Sequence, residues 1–303
     1  MKLTAINIQV QDFQVIQWKE VKSNNYKKSQ NHQAGEKEAS VTGVTWLTES
    51  ILIAANHRSG KIIFFNTNQN EKLGEVNLYT QTDDVCAIKN GSDFLINCSA
   101  AWSGEQVLIC GKTLDKGVQT GHPKIVEAID KSYSHSVFFK DNIPSIAFQA
   151  GEFPRIQIGN DILTLPPGYL PASAFWSQKK NCLFICSNYF NQNRRQSTSI
   201  NKSSVWKFDA MTMYTPRHEM SINQCQIDKC QIRNNFIWFN NRHTHSIVGI
   251  NLSDYNNQII LKNSAIDSPR GIAINSDGIM AVANHSRNYI LLFNLDELIK
   301  GMN

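Results

Sequence analysis

Short apolar runs separated by polar turns recur along the whole chain, and none has the 3.6-residue spacing of a long helix. The runs 51–55, 61–65, 145–149, 246–250 and 289–293 are rich in β-branched, aromatic and other apolar residues. That is the composition of strands with at least one buried face. Turn formers lie between them, as in Asn66-Thr67-Asn68, Asn90-Gly91-Ser92 and Asn275-Ser276-Asp277-Gly278. The pattern predicts an all-β chain in which only 296–301 makes a helical turn.

The runs also repeat. Gly43 is followed 13 residues later by Asn56-His57, then by Ile62 and Phe65 six and nine residues after the Asn. Gly271 is followed at the same offsets by Asn284-His285, Ile290 and Phe293. The frame extends to Asp228 and Asn241, Asp84 and Asn97, Ser136 and Gln149, and to a degenerate unit ending its second strand at Asn188. Six units result, spaced from 39 residues (Gln149 to Asn188) to 53 (Asn188 to Asn241). This is the length of a four-stranded sheet. One such sheet cannot bury both faces, whereas a radial ring of them can.

The expected fold is therefore an all-β, six-bladed β-propeller, one domain over 1–303. Its last unit lacks a fourth strand, and the N-terminal run 3–10 is expected to close the ring by pairing with the C-terminal blade. A second run, 13–18, extends that strand or pairs separately. Seven blades stay open if 13–40 holds further strands. The polar segment 21–40 is expected to be mobile, and 191–201 reads as a long loop between strands of the fourth unit, either a lid or a partner-binding arm.

The last unit, Pro269-Arg270-Gly271-Ile272-Ala273-Ile274 through Ala283-Asn284 to Ile290-Leu291-Leu292-Phe293, resembles an NHL repeat, and the first unit resembles a weaker one. The resemblance implies the NHL-repeat and gluconolactonase-like superfamily of six-bladed propellers. Those families usually carry Asp where this chain has Asn56 and Asn284. The likeness to the gluconolactonase-like enzymes implies a divalent ion held at the channel mouth, with Asp84 and Asp228 as metal candidates beside Asn97 and Asn241. Amidating-lyase propellers use the NHL framework with histidine-bound zinc.

In a propeller the ends of second strands and the starts of first strands share one face. That places the amides Asn56, Asn97, Gln149, Asn188, Asn241 and Asn284 there as candidate ligand-binding residues, with Arg270 and, in a turn, Trp102. His57, His243 and His285 are the candidate general bases or zinc ligands, and carboxylate and amide oxygens suit calcium or magnesium. A structural reading stands beside these: Asn at a strand end readily bonds nearby backbone and shapes the turn.

Net charge narrows the partners little. The chain carries 30 basic and 25 acidic side chains, a balance of +5, and the basic ones are dispersed. No nucleic-acid partner is expected. Seven cysteines without a Cys-x-x-Cys pair point to buried reduced thiols. No apolar run has the length of a signal peptide or membrane span, so a cytoplasmic monomer without membrane contact is expected. Gly-x-Ser-x-Gly, phosphate-loop and His-Glu-x-x-His motifs are absent. Two functions follow. The first is a binding module presenting the channel face to a small ligand, peptide or protein. The alternative is a metal-dependent hydrolase, lactonase or lyase at the channel mouth.

Overall fold

The computed structural model describes residues 4–17, 40–78, 80–100, 104–128, 133–150, 154–189, 202–209, 215–285 and 289–300. Strands dominate, and they fall into six sheets. In chain order the sheets begin at Val41–Trp46, Thr82–Asn90, Tyr133–Lys140, Tyr169–Ser177, Cys230–Arg233 and Pro269–Ile274. These are the inner strands of blades one to six, and each is followed outward by antiparallel neighbours.

Both faces of each sheet are buried because each is shared with the next blade. Ile53 and Phe64 of blade one meet Val85, Phe94 and Ile109 of blade two. Comparable seams join blades six and one around Leu52 and Leu292, five and six around Trp238 and Val282, and four and five around Phe184 and Phe239. Phe138 and Trp206 anchor the seam of three and four. The seam of two and three is thinner: Val137, Ile146 and Phe148 with Cys86. Buried polar bonds reinforce it. Asn97 of blade two donates through Nδ2 to Phe138 O (3.1 Å) and Ser145 O (3.0 Å) of blade three.

The frame glycines have a steric reason. A Cβ on Gly271 would lie 2.7 Å from Thr42 O and 3.1 Å from Gly43 Cα, and one on Gly43 would lie 2.8 Å from Asp84 Cα. The inner strands of blades six, one and two therefore nearly touch, and only glycine fits between them.

The N-terminal chain closes the ring, but through the second of its two runs. Gln14–Gln17 pairs antiparallel with Tyr289–Leu292 and completes blade six. Thr4–Gln9 instead runs parallel to Asn257–Lys262 and adds a fifth strand to blade five. Two buried side chains fix the strap between them. Val10 enters the seam of blades five and six, and Ile16 the seam of six and one. Leu295–Lys300 forms a short helix whose Asp296 carboxylate takes the Arg233 guanidinium.

All seven cysteines are free thiols, and five are buried. Burial pushes the Cys225 thiol up to about 12, and it raises Cys86 and Cys98 as well. Thiols so shielded are poor nucleophiles. Among the described residues no helix is long and apolar enough to cross a membrane.

Candidate functional site

A shared irregularity builds the channel mouth. Near the start of five inner strands the pairing skips one residue: Thr42, Asp83, His135, Ala172 and Arg270. An extra residue of this kind bends a strand and re-aims its side chain. Asp83 and Asp84 are consecutive, so a regular strand would send them to opposite faces. With the bulge both are buried at the mouth. Thr42, Asp83, Asp84, Asp228, Lys229 and Arg270 surround a void of about 10 Å³ there. That is room for at most one water.

Lys229 is the cation at the centre of this cluster. Its ammonium contacts Asp84 Oδ2 and also donates to Val137 O at 3.1 Å. The Asp84 carboxylate further accepts from Ser136 Oγ (3.0 Å) and Val137 N (2.9 Å). Side chains of blades two, three and five are thus tied together over the thin apolar seam. Asp83 faces Arg270 Nη1 at 3.4 Å and His57 Nδ1 at 2.8 Å. Asp228 accepts from Asn240 Nδ2 at 3.2 Å.

Above this layer lie two imidazoles, His57 and His285, with ring centres 6.4 Å apart. Their tautomers follow from their partners. His57 Nδ1 faces the Asp83 carboxylate and Thr82 O (3.2 Å), both acceptors, so it carries the proton. Ser40 gives its single proton to His285 O (3.0 Å), so its contact with His285 Nδ1 needs the proton on the ring. With Nδ1 protonated, the neutral His285 ring keeps its lone pair on Nε2. Burial, and then the positive Arg270 and Arg242 guanidiniums, push His285 down to about 3. It is therefore a neutral acceptor at physiological pH.

The described amides do not all share one strand position. Asn56 and Asn284 occupy equivalent positions, each opposite the residue just before its bulge, Val41 and Pro269. Asn97 precedes the end of its strand by three residues, where Ala100 stands opposite Thr82. In blade four Ser187 takes the equivalent place opposite Pro171, so Asn188 comes one residue late. The described amides serve as staples. Asn188 Nδ2 donates to Ile227 O (2.8 Å), while its Oδ1 accepts from Ile227 N (3.0 Å) in the next blade. Asn241 Oδ1 accepts from Gln226 N (3.3 Å) and His243 N (3.1 Å), shaping its own turn. Asn284 Oδ1 accepts from Asp267 N at 2.9 Å. His243 is exposed beyond that turn. The Gln149 side chain, Trp102 and the loop 191–201 lie outside the described residues, as does nearly all of 21–40.

Asp84 and Asp228 reach the same small void, but the Lys229 ammonium stands on the Asp84 carboxylate where a cation would sit. Among the described residues no three His, Cys, Asp or Glu side chains gather so as to hold a metal ion. Sequence reasoning missed Lys229, Asp83, Ser40 and Asn240. Asp83 stands one residue before the frame position Asp84, as Arg270 stands before Gly271. The same frame, read one residue earlier, would have reached it.

No protein-family model matches the sequence, and no curated protein does. Solved structures do. The PQQ-bound aldose sugar dehydrogenase of Streptomyces coelicolor superposes with a TM-score of 0.60 at 12% identity, over 84% of this chain and 93% of that one. The chain is a six-bladed β-propeller. A streptogramin B lyase matches this propeller with a TM-score of 0.55 at 11% identity, over 93% of this chain and 97% of that one. The β-propeller domain of Myceliophteria thermophila Cps50 (Swd1) matches at 0.54 and 9%, covering 84% and 83%. At such identities the likeness extends to the fold alone, and propellers host unrelated functions.

Proposed function

We propose that this propeller is a binding module whose channel-mouth face receives an acidic peptide or an acidic segment of a protein. The observation that carries the reading is the Lys229–Asp84 contact at the bottom of the mouth. It fills the channel with the protein's own charges and leaves about 10 Å³. A ligand therefore lies on the face and does not enter the shaft.

What such a ligand meets there is polar and basic. Arg58 is exposed, Arg242 and Arg270 are half-buried, and the His57 ring and the Nε2 acceptor of His285 lie beside them. Asp83, Asp84 and Asp228 are buried beneath. Guanidiniums bind carboxylates in a paired, planar way, and neutral imidazoles accept from peptide N–H groups. The metal-dependent reading, which the NHL-repeat and gluconolactonase-like resemblance suggests, needs Lys229 to leave Asp84 first.

Fluorescence anisotropy with labelled hexaglutamate and hexalysine tests the proposal. Hexaglutamate should bind saturably, more weakly as salt rises, and at least tenfold more weakly to Arg58→Ala/Arg242→Ala. Hexalysine should not bind. Equal binding of both peptides, or none of either, contradicts it.

A further inference from the structure

The outer edges of the blades differ in one respect. The outer strands of blades one to four carry charge, at Glu71, Lys72 and Glu75; Lys124 and Glu127; Asp161; Arg217 and Glu219, except for the four-residue Gly117–Thr120, which shares the edge of blade two with Lys124–Ala128. Charged side chains are a common protection of an edge strand against pairing with another chain. The two strands supplied by the N-terminal chain carry none. Gln14–Gln17 is four residues long, and its Gln14 Nε2 is bonded to Thr67 O at 3.0 Å. Thr4–Gln9 is longer, with the sequence Thr-Ala-Ile-Asn-Ile-Gln. It has no proline and no bulge, and one side is paired to Asn257–Lys262 in unbroken register. On the other side no strand pairs with it among the described residues. Ala5, Ile6, Asn7 and Gln9 are exposed, with Ile6 at 41%.

We propose that Thr4–Gln9 is a pairing edge for a second copy of this chain. The same strand of the copy adds antiparallel to it about a two-fold axis, which joins the two fifth blades into one sheet. An isologous contact of this kind puts one patch on both sides and closes after two subunits. Centring the pair on Ile6 places Ile6 opposite Ile6 of the second copy and Thr4 opposite its Ile8. Side chains two apart share a face, so this register covers the exposed Ile6 with its own kind. Ile8, on the same face, already packs against the apolar seam of blades five and six. Each copy carries a net +5, and an edge without charge is where two such copies approach with least local repulsion. The proposal does not depend on the channel mouth.

Sedimentation velocity on the full chain over a hundredfold concentration range tests it. The wild type should move toward twice the monomer mass as concentration rises. Ile6→Lys should stay a monomer with an unchanged melting temperature, since its side chain is exposed in the single copy. Leu114→Lys, a charge placed at an exposed apolar residue of blade two (55% exposed), should dimerise like the wild type. Ile6→Cys should form a disulfide-linked dimer under mild oxidation, which reports the register. A wild type that stays monomeric throughout, or a dimer unaffected by Ile6→Lys, overturns the proposal. So does pairing of this edge with a segment of a different protein in place of a second copy.

Discussion

The Lys229 ammonium of blade five rests on the Asp84 carboxylate of blade two, across the mouth of the channel. Both side chains are buried, at 7% and 5% exposure. Two charges taken out of water are held there by each other and by the Ser136 hydroxyl, Val137 N and Val137 O. Removing one partner leaves the other buried and uncompensated, at a cost of about 3–5 kcal/mol. Lys229→Met and Asp84→Asn should each lower stability by that order in urea unfolding. The double variant should recover a large part of the loss. Single variants within 1 kcal/mol of wild type would contradict the pairing.

His285 gives the protein an acid sensitivity of defined sign. Its folded pKa is pushed down to about 3 from 6.5. As pH falls, the unfolded chain takes up the proton first. The stabilisation is fully present above about pH 6.5 and is lost progressively toward pH 3. Glu75 and Glu219 are shifted below 4.5 and Asp296 below 3.8, so their own losses come at lower pH. Between pH 6.5 and 4.5 the wild type should therefore lose stability faster than His285→Gln. Proton NMR of the ring should show no titration of His285 near 6.5.

The strap depends on Ile16, which is buried at 1% exposure, while its neighbour Val15 is 38% exposed. Ile16→Ala should cost about 2–5 kcal/mol, the usual range for emptying a core site. Val15→Ala should cost far less. If both behave alike by thermal melting, Gln14–Gln17 does not close the ring in solution.

Gly271 tests the approach of blades six and one. Gly271→Ala forces a Cβ to 2.7 Å from Thr42 O, and overpacking of this order costs about 1–3 kcal/mol. Gly117→Ala meets nothing within 4 Å and should be neutral or slightly stabilising. Equal effects in the two would contradict the tight packing of the inner strands.

The fold was legible because each blade repeats one steric problem. Gly43 and Gly271 recur where inner strands nearly touch, and Asn56 and Asn284 where the second strand turns. The count of six needed only those periods. The choice of closing strand was not legible, because 3–10 and 13–18 are both apolar strand patterns. What separates them is the seam into which Val10 and Ile16 fit, a long-range contact. The amide ring was over-regular for a similar reason: equal sequence offsets do not survive a bulge or an added residue, and Asn97 and Asn188 fall three residues early and one late. Lys229 was invisible as a site residue because its meaning lies in Asp84, 145 positions away.

Lys229 is the resident cation of the channel mouth. Elemental analysis of the protein, purified without chelator, tests this most directly. Calcium, magnesium, manganese and zinc should all be far below one equivalent, and should remain so after incubation with each ion and desalting. Near-stoichiometric metal that is lost on Asp84→Ala would contradict the account and return the carboxylates to the role of ligands.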